Sequence, residues 1–364
     1  MPELPEVETI ARQLRRLVVG RTVRSFRSDW ERLTEPVPPR HFARRLVGRR
    51  IDGVRRRGKL VVLDLDGGEA LVVSLRMTGQ LLFRAGGAPS DPRVRGVVVF
   101  TDGTTLRFAD TRKFGRMAIV DAREIPAEGG ATERSARLAA QPSRRTSGAP
   151  ERPAAAPGSA PLYATLGIEP LSRGFTLAWL EAFLARRGRG AIKPLLLDPR
   201  GIAGIGNIYD CEALWRARIH PRRLAGSLGR AEVARLHEAI GWVLRKGIRL
   251  GGASWRDYLD ARGRAGRMQR EFQVYARADA PCPRCGRVIA RTVLGARATF
   301  HCPRCQPEPA IEPARTAPPR SRAGGRAPGH ASRRRLVEPA GRSLSRSRAG
   351  GRAPSLVSRR RLKG

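Results

Sequence analysis

Cysteine spacing constrains this chain more than any other feature. Cys282-Pro-Arg-Cys285 and Cys302-Pro-Arg-Cys305 form two C-x2-C pairs separated by sixteen residues. Four thiolates in two such pairs match one tetrahedral structural Zn2+ site with no open coordination position. A hairpin between the pairs would carry Arg297, in Ala296-Arg-Ala-Thr-Phe300, to its tip, where a guanidinium could meet a phosphate. Disulfide pairing is the alternative, and the knuckle spacing and the lack of a basic-then-apolar leader weigh against it. His301 beside Cys302 is a spare ligand, and Cys211 is left over as a small residue suited to a helix interior.

Upstream, the pattern changes twice. Val7, Ile10, Leu14 and Leu17 keep helical spacing from Pro5, and Gly20 is placed to stop that helix. Strand-like runs follow at 23–26, 51–54, 60–65, 70–75, 94–100, 104–108 and 116–120, with Asp66-Gly67-Gly68 and Asp102-Gly103 where hairpin turns belong. The first domain, 1–121, is therefore expected to be an antiparallel sandwich or barrel. Residues 122–162 are rich in Ala, Pro, Ser, Gly and Arg without periodicity and are expected to form a flexible insertion. Helical spacing returns at 177–186, near Asn207 and at 231–250, with His220-Pro221 as a break, so 163–271 reads as a helical domain. The cysteine module occupies 272–306, and the fold class is α+β. Beyond it, Ser321-Arg-Ala-Gly-Gly-Arg-Ala-Pro328 recurs at Ser347 to Pro354, and Ser332-Arg-Arg-Arg-Leu336 at Ser358 to Leu362. These two copies at 307–364 are expected to be a disordered basic tail.

Charge indicates the partner. The net charge of +39 far exceeds what solubility requires and points to nucleic acid, since no basic amphipathic anchor, apolar span or leader marks a membrane or secreted protein. The tail, with 15 Lys plus Arg against 3 acidic residues from Gln306 onward, accounts for only +12. A cytoplasmic, DNA-binding protein is expected. Of 71 basic residues only five are Lys, so each Lys marks a position where a compact, titratable ammonium is distinguished from a guanidinium.

The chemistry concentrates at the amino end. With Met1 removed, Pro2 presents a secondary α-amine, partly unprotonated near neutral pH. Its attack on an aldehyde-like carbon gives an iminium, and Glu3 beside it would shuttle the proton. The plainer reading is a proline and acidic residues at the start of a helix. Gly204-Ile-Gly206-Asn207 opens a helix either as a phosphate site or as an ordinary cap. Met77, in Ser74-Leu-Arg-Met-Thr-Gly79, and Phe114, with Arg112 in Asp110-Thr-Arg-Lys-Phe-Gly115, suit either core packing or wedges that fill the space left by an extruded base.

Together these segments resemble the formamidopyrimidine-DNA glycosylases, bacterial enzymes that excise oxidised purines such as 8-oxoguanine. The resemblance covers about 1–121 and 163–306. It rests on Pro2-Glu-Leu-Pro-Glu-Val-Glu8, Arg57-Gly-Lys59, Met77-Thr-Gly79, Arg112-Lys-Phe-Gly115, Ile192-Lys-Pro194, Gly206-Asn-Ile-Tyr209, Phe272-Gln-Val-Tyr275 and the four cysteines, in that order and spacing. It implies a β-sandwich joined to a helix-two-turn-helix domain with a zinc hairpin, and a bifunctional glycosylase and lyase acting on double-stranded DNA with oxidised purines or abasic sites. By that resemblance Pro2 is the nucleophile, Glu3 the acid/base, and Lys59 reaches the lesion's phosphate. Glu6 and Glu212 line the pocket, Asn207 and Arg297 clamp phosphates, Met77, Arg112 and Phe114 fill the void, and Lys193 is a further basic residue of the DNA cleft. Arg262-Gly-Arg-Ala-Gly-Arg-Met268 resembles the segment that closes over the base. A monomer associated with the bacterial nucleoid is expected.

Ser74 stands where that family usually has His, and Thr111 and Pro199 also replace commoner residues. Two other readings compete: an endonuclease VIII-like enzyme for oxidised pyrimidines, and a zinc-containing damage-binding protein without catalysis. The Glu-Leu-Pro-Glu start and the long loop near Arg264 favour the purine enzyme. Retention of both Pro2 and Glu3 disfavours the non-catalytic protein.

Overall fold

The alternation between residues 23 and 121 resolves into two antiparallel sheets of four strands each. The computed structural model describes residues 1–125 and 162–308. These fall within one compact unit, Met1–Ile311. One sheet has the order β1 (Val23–Arg27), β6 (Val94–Phe100), β7 (Thr105–Ala109), β5 (Gln80–Arg84); the other has β2 (Ile51–Arg57), β3 (Leu60–Leu65), β4 (Glu69–Ser74), β8 (Arg116–Asp121). Both expected hairpin turns fall where the glycines stand, between β3 and β4 and between β6 and β7. The sandwich core is filled by Val54, Val61, Leu63, Val73, Leu81, Phe100, Leu106 and Phe108, all buried. Each such side chain contributes roughly 1.5–3 kcal/mol on removal from water, before conformational entropy is set against it.

Helix α1 (Leu4–Val18) joins the two halves of the molecule. Val7, Ile10 and Leu14 belong to the sandwich core, whereas Leu4 belongs to the core of the helical half. That second core is built on α3 (Leu177–Arg186), α4 (Ile192–Leu197), α5 (Asn207–Ala217) and α6 (Arg230–Arg249). A hairpin, β9 (Ala290–Leu294) paired with β10 (Arg297–His301), follows and packs through Phe300 and Ile289 against Cys211 and Trp215 of α5. Among the described residues no helix is long and apolar enough to cross a membrane.

Three elements escaped the sequence pattern: β5, α4 and α2 (Pro39–Leu46). The β part also runs beyond the expected boundary at 121, because Ile125 is buried with Tyr163 and Leu166 against Leu60, Val62 and Val72 of the second sheet. The rest of the insertion expected at 122–162 and nearly all of the expected tail at 307–364 lie outside the described residues.

Candidate active site

The amino terminus is bound into the protein. Pro2 is buried, and Glu3 caps α1 with its amide donating to Glu6 Oε2 at 2.8 Å. Pro5 sits in the first turn, where its missing N–H leaves nothing unpaired. The Leu4 amide donates to the Gly204 carbonyl at 3.0 Å, stitching the chain end to the loop that begins α5.

This delivers the Glu3 carboxylate to the amino end of α5. Its Oε1 accepts from the Ile208 amide at 2.9 Å and its Oε2 from the Tyr209 amide at 3.3 Å. A helix start presents unpaired N–H groups and partial positive charge, which complement the two oxygens. Gly206 makes the approach possible, because a Cβ there would lie 2.2 Å from Glu3 Cδ.

Glu6 is fully buried behind Glu3. Its Oε1 accepts from the Tyr209 hydroxyl at 2.8 Å and from the Ala253 amide at 2.7 Å. Burial, and then the neighbouring Glu3 charge, pushes its pKa up to about 7. It can therefore hold or release a proton near neutrality. Burial also lowers the α-amine of Met1 below its ordinary value; Glu3 and Glu6 oppose that shift and Lys59 adds to it. An amine at this end of the chain therefore stands in a setting that disfavours its charge, near a Glu6 carboxyl that can carry a proton.

Lys59 lies in the turn between β2 and β3, and an ion-pair network fixes that turn. Buried Glu169 accepts from Arg57 at 2.8 Å, from Arg56 at 2.6 Å and from the Gly58 amide at 2.6 Å. Arg57 also donates to the carbonyls of Leu166 and Gly167, so the turn is clamped to the helical half. Burial lowers the pKa of Lys59, against the pull of Glu3.

Pro2, Glu3, Lys59, Met77, Arg112, Asn207 and Arg297 line one cavity of about 310 Å³, which brings together most of the residues expected to form the site. Phe114 lies outside that lining, half-exposed, with the Arg112 guanidinium 5.0 Å from its ring centre. Asp110 organises these loops: it accepts from the Thr78 hydroxyl at 2.5 Å, the Arg112 amide at 3.2 Å and the Phe114 and Gly115 amides at 2.8 Å. The Asn207 side chain donates to the Ala298 carbonyl at 2.8 Å, tying β10 to the start of α5, while exposed Arg297 faces the cavity.

Three expectations are corrected. Lys193 is not a cleft residue: it is fully buried in α4, pairs with Asp210 at 2.5 Å and donates to Cys211 Sγ at 3.3 Å. A compact ammonium fits between those groups of α5, and such a buried pair needs both partners. Glu6, buried behind Glu3, does not line the cavity, and neither does Glu212. The Glu212 carboxylate accepts from the consecutive amides of Gln273, Val274 and Tyr275 at 2.9–3.1 Å, fixing the strap that leads into the cysteine module.

The four expected metal ligands converge, with all four sulfurs within 4.8 Å of one another. The Cys282–Cys305 and Cys285–Cys302 separations of 4.0 and 3.5 Å bracket the edge of about 3.8 Å that a tetrahedron with Zn–S bonds of about 2.3 Å requires. The donor set therefore fits one closed zinc site. Trp215 of α5 donates its indole N–H to Cys282 Sγ at 3.4 Å, an outer contact of the kind that orients metal ligands. Glu169, Asp110 and Trp215 were not singled out from sequence, because each acts through partners far away in the chain.

Comparison with known proteins agrees with this geometry. Three family models match: the "Formamidopyrimidine-DNA glycosylase N-terminal domain" over 1–117, the "Formamidopyrimidine-DNA glycosylase H2TH domain" over 166–258, and the "Zinc finger found in FPG and IleRS" over 280–307. The chain is 43% identical to formamidopyrimidine-DNA glycosylase of Roseiflexus sp. over 295 residues, 81% of this chain and 95% of that one. It is 36% identical to the Bacillus subtilis protein of the same name over 296 residues, again 81% and 95%. The fold also matches Lactococcus lactis Fpg in complex with DNA containing an abasic site, at a TM-score of 0.70 and 30% identity over 84% of this chain and 100% of that one. A complex of the same enzyme with DNA containing N7-benzyl-Fapy-dG matches at 0.69 with the same identity and coverage.

Proposed function

The chain belongs to the formamidopyrimidine-DNA glycosylase family, and from that premise we propose how its residues divide the work. It is a DNA glycosylase of base excision repair, with DNA-formamidopyrimidine glycosylase activity and the lyase activity typical of the family, and it carries one structural zinc. In our reading it acts as a monomer in the cytoplasm, on nucleoid DNA bearing 8-oxoguanine, formamidopyrimidines or abasic sites. Residues 1–121 would bear the catalytic end and the wedges, 163–271 the helical DNA-binding part, and 272–306 the zinc hairpin.

The observation that carries the residue assignment is the seat of Glu3 on the α5 amides, inside the cavity that Pro2 lines. With Met1 removed, the Pro2 nitrogen attacks C1′ of the damaged nucleotide, and the bond from C1′ to the base breaks, the base leaving with a proton. Glu3 protonates the sugar's ring oxygen as the ring opens to the iminium, with Glu6 behind it as a group able to exchange that proton. The iminium acidifies the C2′ proton; its removal expels the 3′ phosphate, a second elimination expels the 5′ phosphate, and water then frees the amine. Lys59 and Arg297 would hold the lesion's phosphates, with Asn207 positioning Arg297. Met77, Arg112 and Phe114 would fill the duplex where the base has left. The four cysteines would hold zinc, which supplies structure only.

Borohydride trapping on a duplex with one 8-oxoguanine, followed by mass analysis of the linked peptide, tests this assignment. An adduct at an N-terminal proline is expected. A free amino end that binds the duplex and yields no adduct would overturn it.

A further inference from the structure

The cavity wall holds an exposed aromatic side chain that these roles leave unused. Trp255 is 48% exposed, and its ring lines the cavity from the loop that follows α6. A flat apolar face exposed in a nucleic-acid cavity suits a base.

The loop holds the ring in place. The Ala253 amide is bound to Glu6, the Ser254 amide to Gln269 Oε1 at 3.0 Å, and the Ser254 hydroxyl to the Tyr258 carbonyl at 2.7 Å. Gln80 of β5 reaches across from the sandwich to the Asp257 carbonyl at 2.5 Å. On its other side Trp255 ends a row of rings: its centroid lies 6.3 Å from Phe272, which lies 5.4 Å from Tyr275, which lies 5.3 Å from Phe300 of the zinc hairpin. The ring is thus braced at one edge and open on the cavity side. Through Ala253 it stands two residues from the Glu6 carboxyl, beside the place where the bond from sugar to base would break.

We propose that the Trp255 indole is the stacking platform for the extruded base, and so a specificity-determining residue of this enzyme. The inference rests on the functional reading above. It implies that recognition here draws on the π-face of the lesion in addition to its hydrogen-bonding edge. An abasic substrate, having no base, gains nothing from the ring.

The test compares single-turnover cleavage of a duplex containing 8-oxoguanine with that of the same duplex containing an abasic site, for the parent chain, Trp255→Ala and Trp255→Phe. Loss of a base–aromatic stack should lower the ratio of the two rates in Trp255→Ala by roughly ten- to a hundredfold. Trp255→Phe should hold the ratio within about threefold, since the flat face is kept. A Trp255→Ala ratio equal to the parent's, whether both rates are kept or both fall together, overturns the platform. A parent chain that cleaves neither duplex overturns the functional reading and the platform with it.

Discussion

Gly206→Ala isolates the contribution of the Glu3 seat. Gly206 has extended backbone angles, φ −127° and ψ −170°, which alanine adopts without strain. The substitution therefore acts through its methyl group alone. That methyl would stand 2.2 Å from Glu3 Cδ and 2.4 Å from Oε1, whereas ordinary contact begins near 3.4 Å. The carboxylate must retreat by about 1.2 Å, the difference of those distances, and give up its two amide bonds. A misplacement of about 1 Å at a reacting group costs on the order of a hundredfold in rate. Single-turnover excision of 8-oxoguanine should fall by about that factor while the duplex still binds. In a Glu3→Gln background the same substitution should add little, because residues acting as one unit are not additive. Gly204→Ala provides the contrast: Gly204 has φ +93° and a Cβ there would strike Leu4, so that variant should lose melting temperature first. A folded Gly206→Ala enzyme that excises within about threefold of the parent rate would refute the role assigned to this carboxylate.

Three further outcomes are expected. The folded-state pKa of Glu6, raised from an ordinary 4.5 to about 7, means that its contribution to stability is complete below pH 4.5 and is lost as pH rises through 7. The loss is on the order of 3 kcal/mol. Glu6→Gln should flatten that dependence in denaturant melts at pH 5 and pH 8, and equal slopes for both proteins would contradict it. Chelating the zinc should free β10, loosen the tie between Asn207 and Ala298, lower lesion-DNA affinity by roughly tenfold or more, and change the fluorescence of Trp215 beside Cys282. Unaltered binding by metal-free protein would show the hairpin to be self-sufficient. Truncation after Gln306 removes a net +12 and should make the slope of log affinity against log salt shallower, by about 0.9 for each phosphate that the tail had neutralised; an unchanged slope denies the tail a part in DNA binding.

The sequence exposed what depends on neighbours and concealed what depends on distant partners. Cysteine spacing located the zinc site, strand-like runs bounded by turn signals located seven of the eight sandwich strands, helical spacing located α1, α3 and α6, and the Gly-x-Gly-Asn start marked α5. Strand β5 is five residues long and follows directly on the Met77-Thr-Gly79 turn, so it reads as the end of a loop until β7 pairs with it. Helix α2 buries only Phe42 and Leu46, too few for a periodic signal. Lys193 was conspicuous as a rare lysine, and rarity did indicate selection of an ammonium. What selected it was Asp210, 17 positions away and invisible to any local pattern. Glu169 likewise meets Arg56 and Arg57 more than a hundred residues off.

Helix α5 shows how such long-range information can still leave a trace. A surface helix alternates apolar and polar faces, but in α5 every residue from Ile208 to Trp215 is buried, including Asp210, Cys211 and Glu212 in succession. Two carboxyl groups buried in one turn, with a thiol between them, would be prohibitive without partners. Each has one: Lys193 for Asp210 and Cys211, and the amides of 273–275 for Glu212. The helix start receives Glu3 and its last turns reach Cys282 through Trp215. One rigid element therefore sets the position of the Glu3 carboxylate, the strap at 273–275 and the zinc hairpin that carries Arg297. A short helix in which polar and apolar residues occupy every face is evidence of an organising centre, and here its amino end coincides with the wall of the cavity. The violation of amphipathic patterning was legible in Asn207-Ile-Tyr-Asp-Cys-Glu-Ala-Leu-Trp215 from the outset, and the burial of all its faces explains why the chemistry was built around it.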